Sequence, residues 1–194
     1  HWEGTFHDYL GLVQDDTRVV RNAYQRLYDM VLSYGCEARP DIGDNVFQYE
    51  FFDDPMESGK DAIFGLSKSL SHLVANIKSA AFGYGVERRV LLLHGPVGSS
   101  KSTIARLVKK GIEAYSRTNE GRLYTFAWKT DDGMEPCPMH EEPLLLVPQP
   151  ARGEILADLN KRRAAEYTLS TQGELCPFCR HHFNTLMERY DGDW

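Results

Sequence analysis

The run Val90-Leu-Leu-Leu-His-Gly-Pro-Val-Gly-Ser-Ser-Lys-Ser-Thr103 constrains this chain more than any other stretch. An apolar β-like segment, a turn holding two glycines and a Lys-Ser-Thr triplet opening a helical pattern stand in the order in which a P-loop is built. Nucleotide phosphates need a ring of backbone N–H donors, a helix N-terminus aimed at them, an ammonium, and a hydroxyl for Mg²⁺. Gly95, Pro96, Val97, Gly98, Ser99 and Ser100 form the loop around the phosphates, Lys101 supplies the ammonium, Ser102 the Mg²⁺ hydroxyl, and Thr103 continues the helix. The loop departs from the usual pattern at Ser100, which stands where the last glycine is expected and adds a Cβ beside the backbone.

The flanking sequence carries the rest of the signal. Val90 to Leu93 read as the strand before the loop, and Ile104, Leu107, Val108 and Ile112 mark an apolar stripe of period 3.6 after it. Leu123 to Trp128 reads as a second strand. Strand, helix and strand in that order predict a right-handed crossover, hence an α/β fold of P-loop NTPase type, a parallel sheet with helices on its faces.

Two helices and a strand are expected upstream: apolar residues recur at helical spacing over Thr17–Ser33 and Asp61–Phe82, and aromatic-rich Phe47–Phe52 reads as extended. Gly83-Tyr-Gly85 reads as a helix stop. Prolines at 136, 138, 143, 148 and 150 make Met134–Pro150 a loop-rich insertion. A polar helix over Glu154–Tyr167 and a last amphipathic stretch with Phe183, Leu186, Met187 and Tyr190 follow. The expected division is a helical lead-in over 1–60, the nucleotide core over 61–133, the insertion over 134–182, and the start of the next helix over 183–194.

The 194 residues are 42% apolar, enough for one large domain or two small ones. A formal net charge of −6 gives no broad basic field, so nucleic acid is not an expected partner. Lys161-Arg162-Arg163 is expected to be a solvated helix face. No stretch reaches the roughly 20 apolar residues needed to span a bilayer, and no signal peptide is evident, so a cytoplasmic protein without membrane association is expected. The start at His1 and the stop at Trp194 suggest a piece of a longer protein.

In such a compartment four cysteines are not expected to form disulfides. Cys137-Pro-Met-His140 and Cys176-Pro-Phe-Cys179 are two knuckle-like pairs, together offering three thiolates and one imidazole to a tetrahedral structural Zn²⁺. His181 or His182 could replace His140. A thioredoxin-like reading of Cys-Pro-Phe-Cys is weaker, because Thr168 to Leu175 does not read as the strand such a site follows. Cys36 has no partner in this scheme and is expected to be a small buried residue.

Phe64-Gly65-Leu66 at a helix head, the loop Leu92–Ser102, Cys-Pro-Met-His-Glu-Glu-Pro-Leu from Cys137 and Leu-Cys-Pro-Phe-Cys-Arg from Leu175 together resemble the PrkA serine protein kinase family. The resemblance implies an AAA-type ATPase domain, ATP–Mg²⁺ as cofactor, a protein substrate, assembly into a homo-oligomer, and Ile63, Phe64 and Gly65 lying against the adenine. Phe64 as an ordinary core aromatic is the competing expectation. The acidic strand end that holds Mg²⁺ and orients water is missing, since Leu144–Val147 runs into Pro148, and it is expected beyond Trp194. The motif set of eukaryotic-type kinases is also missing. Phosphorylation of serine or threonine on proteins is therefore implied by the resemblance alone, ahead of an AAA-type protease or remodelling machine and a zinc-stabilised nucleotide switch.

Overall fold

The computed structural model describes residues 2–41, 44–162 and 168–192. In chain order the regular elements are α1 (Phe6–Asp15), α2 (Ala23–Ser33), β1 (Cys36–Asp41), β2 (Asp44–Tyr49), α3 (Ser67–Ala81), α4 (Lys101–Tyr115), β3 (Ala127–Thr130), β4 (Gly133–Pro136), α5 (Gln149–Arg162) and α6 (Pro177–Arg189), with short 3₁₀ turns between them. They form two compact units that cut across the expected four-part division. One unit is Arg21–Arg122 with Thr168; the other takes the described residues of His1–Val20, Leu123–Ala165 and Leu169–Trp194.

The first unit is built on α2, α3 and α4. Asn22 and Gln25 cap the start of α2 reciprocally, so this helix begins later than the apolar spacing from Thr17 suggests. Thr17–Val20 is instead a 3₁₀ turn. Phe51, Phe52, Met30, Val31, Val74 and Leu107 are at most 2% exposed and form the centre of the core. Gly111 on α4 permits this contact, because a Cβ there would lie 2.5 Å from Phe51 Cε2 and 2.9 Å from Met30 Sδ. Gly83 ends α3 as read from the sequence: it takes φ 74°, its N–H donates to Ala80 O at 3.1 Å, and Tyr84 N–H donates to Ser79 O at 3.0 Å. That pair of bonds is a Schellman stop.

The expected Phe47–Phe52 strand ends at Tyr49 and pairs antiparallel with β1, whose Cys36 is exposed and not buried as expected. Both sheets among the described residues are two-stranded antiparallel ribbons, β1–β2 and β3–β4, so the expected parallel sheet does not appear among them. Val90 to Leu93 form no strand, and Val90 and Leu92 are 95% and 81% exposed. A strand of a parallel sheet is held by neighbours on both sides and covered on both faces. No described segment pairs with Val90–Leu93, and apolar composition alone cannot keep a strand. The second expected strand shifts to Ala127–Thr130 and pairs with the residues directly after it.

In the second unit α1, capped reciprocally by Thr5 and Asp8, sets Tyr9 and Val13 into a core with Val19, Val20, Leu144, Val147, Leu156 and Leu159. The Tyr9 hydroxyl donates to the Glu142 carboxylate, which also accepts Leu144 N–H at 2.9 Å. Leu144 is thus a core residue on a 3₁₀ turn, Pro143–Leu146. The polar helix begins at Gln149, with Pro150 in its first turn, where a missing N–H costs nothing. Lys161 and Arg162 are solvated as expected, whereas Arg163 lies outside the described residues.

Candidate functional site

The loop Gly95–Ser100 leads into α4, whose first residue is Lys101. Its two glycines are required for different reasons. At Gly95 a Cβ would come within 2.8 Å of Ser99 Oγ; at Gly98 the space is open, but φ is 85°. Ser100 takes φ 55° and ψ 14°, the left-handed region where glycine pays least, which is why the usual motif places a glycine there. Ser100 offers α4 no side-chain cap, so the leading amides of this 15-residue helix face outward with the positive end of its dipole.

The ammonium of Lys101 folds back into the loop. Its Nζ donates to Gly95 O at 2.9 Å, Pro96 O at 2.5 Å and Ser99 Oγ at 2.9 Å, while Ser99 Oγ donates to Pro96 O at 2.8 Å. A point charge held by loop oxygens thus stands next to an uncapped helix start, two features that each favour an anion. Val97 projects fully into solvent; Ser102 is exposed and Thr103 half-buried on the first turn of α4.

Of the residues expected to face adenine, Ile63 belongs to the core at 6% exposure, its N–H donating to Phe52 O at 2.9 Å. Phe64 is 83% exposed, so the expectation of an ordinary core aromatic is wrong. Gly65 follows with φ 74°. Behind the loop, α4 is tied down by charge. Arg106 donates to Asp61 through both Nε and Nη2, at 2.8 and 2.6 Å, and Lys110 lies 3.7, 3.0 and 3.4 Å from Asp54, Glu57 and Asp61. Nothing in the apolar pattern signals Asp61 or Arg106. Their hydrogen bond pulls the Asp61 carboxyl down to about 2.

The other unit gathers three cysteines. β3 and β4 carry the chain to Cys137, whose N–H donates to Phe126 O at 3.0 Å, and Cys176 is the N-cap of α6. Cys137 and Cys179 are fully buried among Trp128, Leu146, Leu175, Phe183 and Leu186. The fourth group is not the expected His140, which is exposed with φ 49°, but its neighbour Glu141. One ligand atom from each of Cys137, Glu141, Cys176 and Cys179 lies within 4.8 Å of the others. His182 stays outside this set: its ring stacks on Trp128 at 5.8 Å and its Nε2 lies 3.3 Å from Glu135. Burial pushes the Cys179 thiol well above its ordinary range, against the pull of the Trp128 indole N–H. Residues 168–175 form no strand, so the thioredoxin-like arrangement lacks its leading element.

Comparison with known families matches the PrkA AAA domain over residues 4–194. The chain belongs to that family. Among curated relatives, the ATP-dependent protease PrkA of Bacillus subtilis (strain 168) is 35% identical over 192 residues, which cover 98% of this chain and 26% of that protein. A Geobacillus stearothermophilus protein, described as an uncharacterized protein in the gldA 5′ region, is 33% identical over 73 residues, 38% of this chain and 64% of that one. No solved structure gives a significant match. Family membership makes this an AAA-type, ATP-dependent domain of the P-loop NTPase class, and ATP with Mg²⁺ is the cofactor such domains use. No helix among the described residues is long and apolar enough to cross a membrane.

Proposed function

We propose that Gly95–Thr103 hold the phosphates of ATP–Mg²⁺, and that the protein to which this chain belongs uses the nucleotide as an ATP-dependent protease acting on other proteins. The observation that carries the nucleotide half is the Lys101 ammonium, ringed by Gly95 O, Pro96 O and Ser99 Oγ at the uncapped start of α4. In this reading the ammonium moves onto the β- and γ-phosphates, the amides of the loop and the first turn of α4 take the remaining oxygens, and the Ser102 hydroxyl binds Mg²⁺. Exposed Phe64, freed by the turn at Gly65, lies against the adenine; Ile63 supports it from the core.

The proteolytic half is supported by the Bacillus subtilis relative, which is named as an ATP-dependent protease. It takes the place of serine/threonine phosphorylation as the first reading on the strength of that relative. Assembly into a homo-oligomer belongs to the same proposal, since AAA-type hydrolysis draws an arginine from a neighbouring subunit. The test uses the intact protein and its Lys101→Ala form with γ-labelled ATP and an unfolded protein. Lysine-dependent release of peptides together with phosphate is expected. Lysine-dependent label on the protein substrate without peptides would replace proteolysis by a kinase.

A further inference from the structure

We propose that Cys137, Cys176, Cys179 and the carboxylate of Glu141 form a closed zinc site that pins the end of β4 to the head of α6. The four ligand atoms already lie within 4.8 Å of one another. A tetrahedral Zn²⁺ with Zn–S bonds near 2.3 Å sets its sulfurs about 3.8 Å apart, so the protein needs only a small contraction to close on the ion.

N–H donors reach all three sulfurs. Each sulfur accepts one N–H: Cys137 Sγ from Glu141 N at 3.4 Å, Cys176 Sγ from Cys179 N at 3.4 Å, and Cys179 Sγ from Trp128 Nε1 at 3.3 Å. Two of these donors are backbone amides of knuckle turns, one in each cysteine segment. Such N–H dipoles would offset the negative charge that three metal-bound sulfurs carry.

Glu141 is aimed in the same way. Cys176 N–H donates to its Oε1 at 2.8 Å, and its Oε2 accepts from Cys137 Sγ at 3.4 Å. The carboxylate therefore bridges the two cysteine segments, with one oxygen anchored by the backbone and the other facing the sulfurs. His140 cannot fill this place as folded, because its left-handed backbone leaves the side chain exposed while the next residue turns inward. On binding, three thiol protons leave to solvent and the site carries a net charge of −2. The three N–H donors to sulfur and the Cys176 amide offset that charge in part.

The site is independent of the nucleotide reading, and its test does not depend on activity. The intact protein, purified without chelator, is expected to contain one zinc per chain, with X-ray absorption showing three sulfurs near 2.3 Å and one oxygen near 2.0–2.2 Å. The Co²⁺-substituted protein should give a tetrahedral d–d spectrum with strong thiolate-to-metal absorption. Glu141→Ala should weaken zinc binding by more than about 100-fold, beyond the range of an outer-shell partner, and His140→Ala by less than about threefold. Three outcomes would overturn the proposal: imidazole scattering in the absorption spectrum, loss of the metal in His140→Ala, or metal-free protein with Cys176 and Cys179 joined as a disulfide. The absorption spectrum of the unaltered protein decides the ligand even where a variant fails to fold.

Discussion

The Nζ of Lys101 lies 2.9 Å from the carbonyl oxygen of Gly95, six residues upstream, so one ammonium ties the first residue of α4 back to the first residue of the loop. Ser99 completes the closure by accepting from the same ammonium and donating to Pro96 O. A Cβ on Gly95 would strike Ser99 Oγ at 2.8 Å. Gly95→Ala is therefore expected to break the Ser99 bonds and weaken Mg–ATP binding by about tenfold, the size of one lost charged hydrogen bond. The double variant Gly95→Ala, Ser99→Ala removes the clash and should bind more tightly than Gly95→Ala alone. If the double variant is no better by titration calorimetry, the glycine is needed for another reason.

Ser100 sits at φ 55°, where an L side chain costs roughly 1 kcal/mol. Ser100→Gly is expected to raise the urea midpoint of this unit by an amount worth up to about 0.5 kcal/mol, the strain relieved less the added freedom of the unfolded chain. A lower midpoint would mean that the hydroxyl makes a contribution the geometry does not reveal.

Gly111 sets two effects against each other. Alanine gains about 1 kcal/mol of helix propensity in α4. Against it stands a Cβ placed 2.5 Å from Phe51 Cε2 and 2.9 Å from Met30 Sδ, both side chains fully buried. Overpacking of this kind costs about 1–3 kcal/mol or more, so packing should win and Gly111→Ala should unfold at lower urea. A stabilised variant would show that Phe51 has room to move.

Hydrogen bonding by Arg106 holds the Asp61 carboxyl at about 2, well below the 3.9 or so of an unfolded chain. A depressed carboxyl contributes stability that is complete above pH of about 4 and is lost as the pH falls through about 2. Unfolding titrations between these values should show a steeper acid loss for the parent than for Asp61→Asn. Equal slopes would remove the Asp61–Arg106 pair from the acid limb.

Local signals were legible in the sequence where one helix or turn satisfies itself. The α4 stripe from Ile104 to Ile112, the Gly83 stop and the knuckle spacing of Cys137, Cys176 and Cys179 all appear in the structure. The α1 helix could have been found from Thr5 and Asp8, a capping pair ahead of Tyr9 and Val13. Non-local relations were not legible. Val90–Leu93 has strand composition but no described partner, and β1, with Glu37, Arg39 and Pro40, has none of that composition yet pairs with β2. Glu141 was hidden because an acidic residue after a knuckle looks like any surface acid until the turn brings its N–H onto Cys137 Sγ.

The most direct test of the central claim is equilibrium binding of Mg–ATP to the intact protein and to Lys101→Ala. Loss of the ammonium among Gly95 O, Pro96 O and Ser99 Oγ should weaken binding by at least about tenfold, while the fold, read by the urea midpoint, changes little. Equal affinity in the two proteins would contradict the reading of Gly95–Thr103 as the phosphate-binding loop.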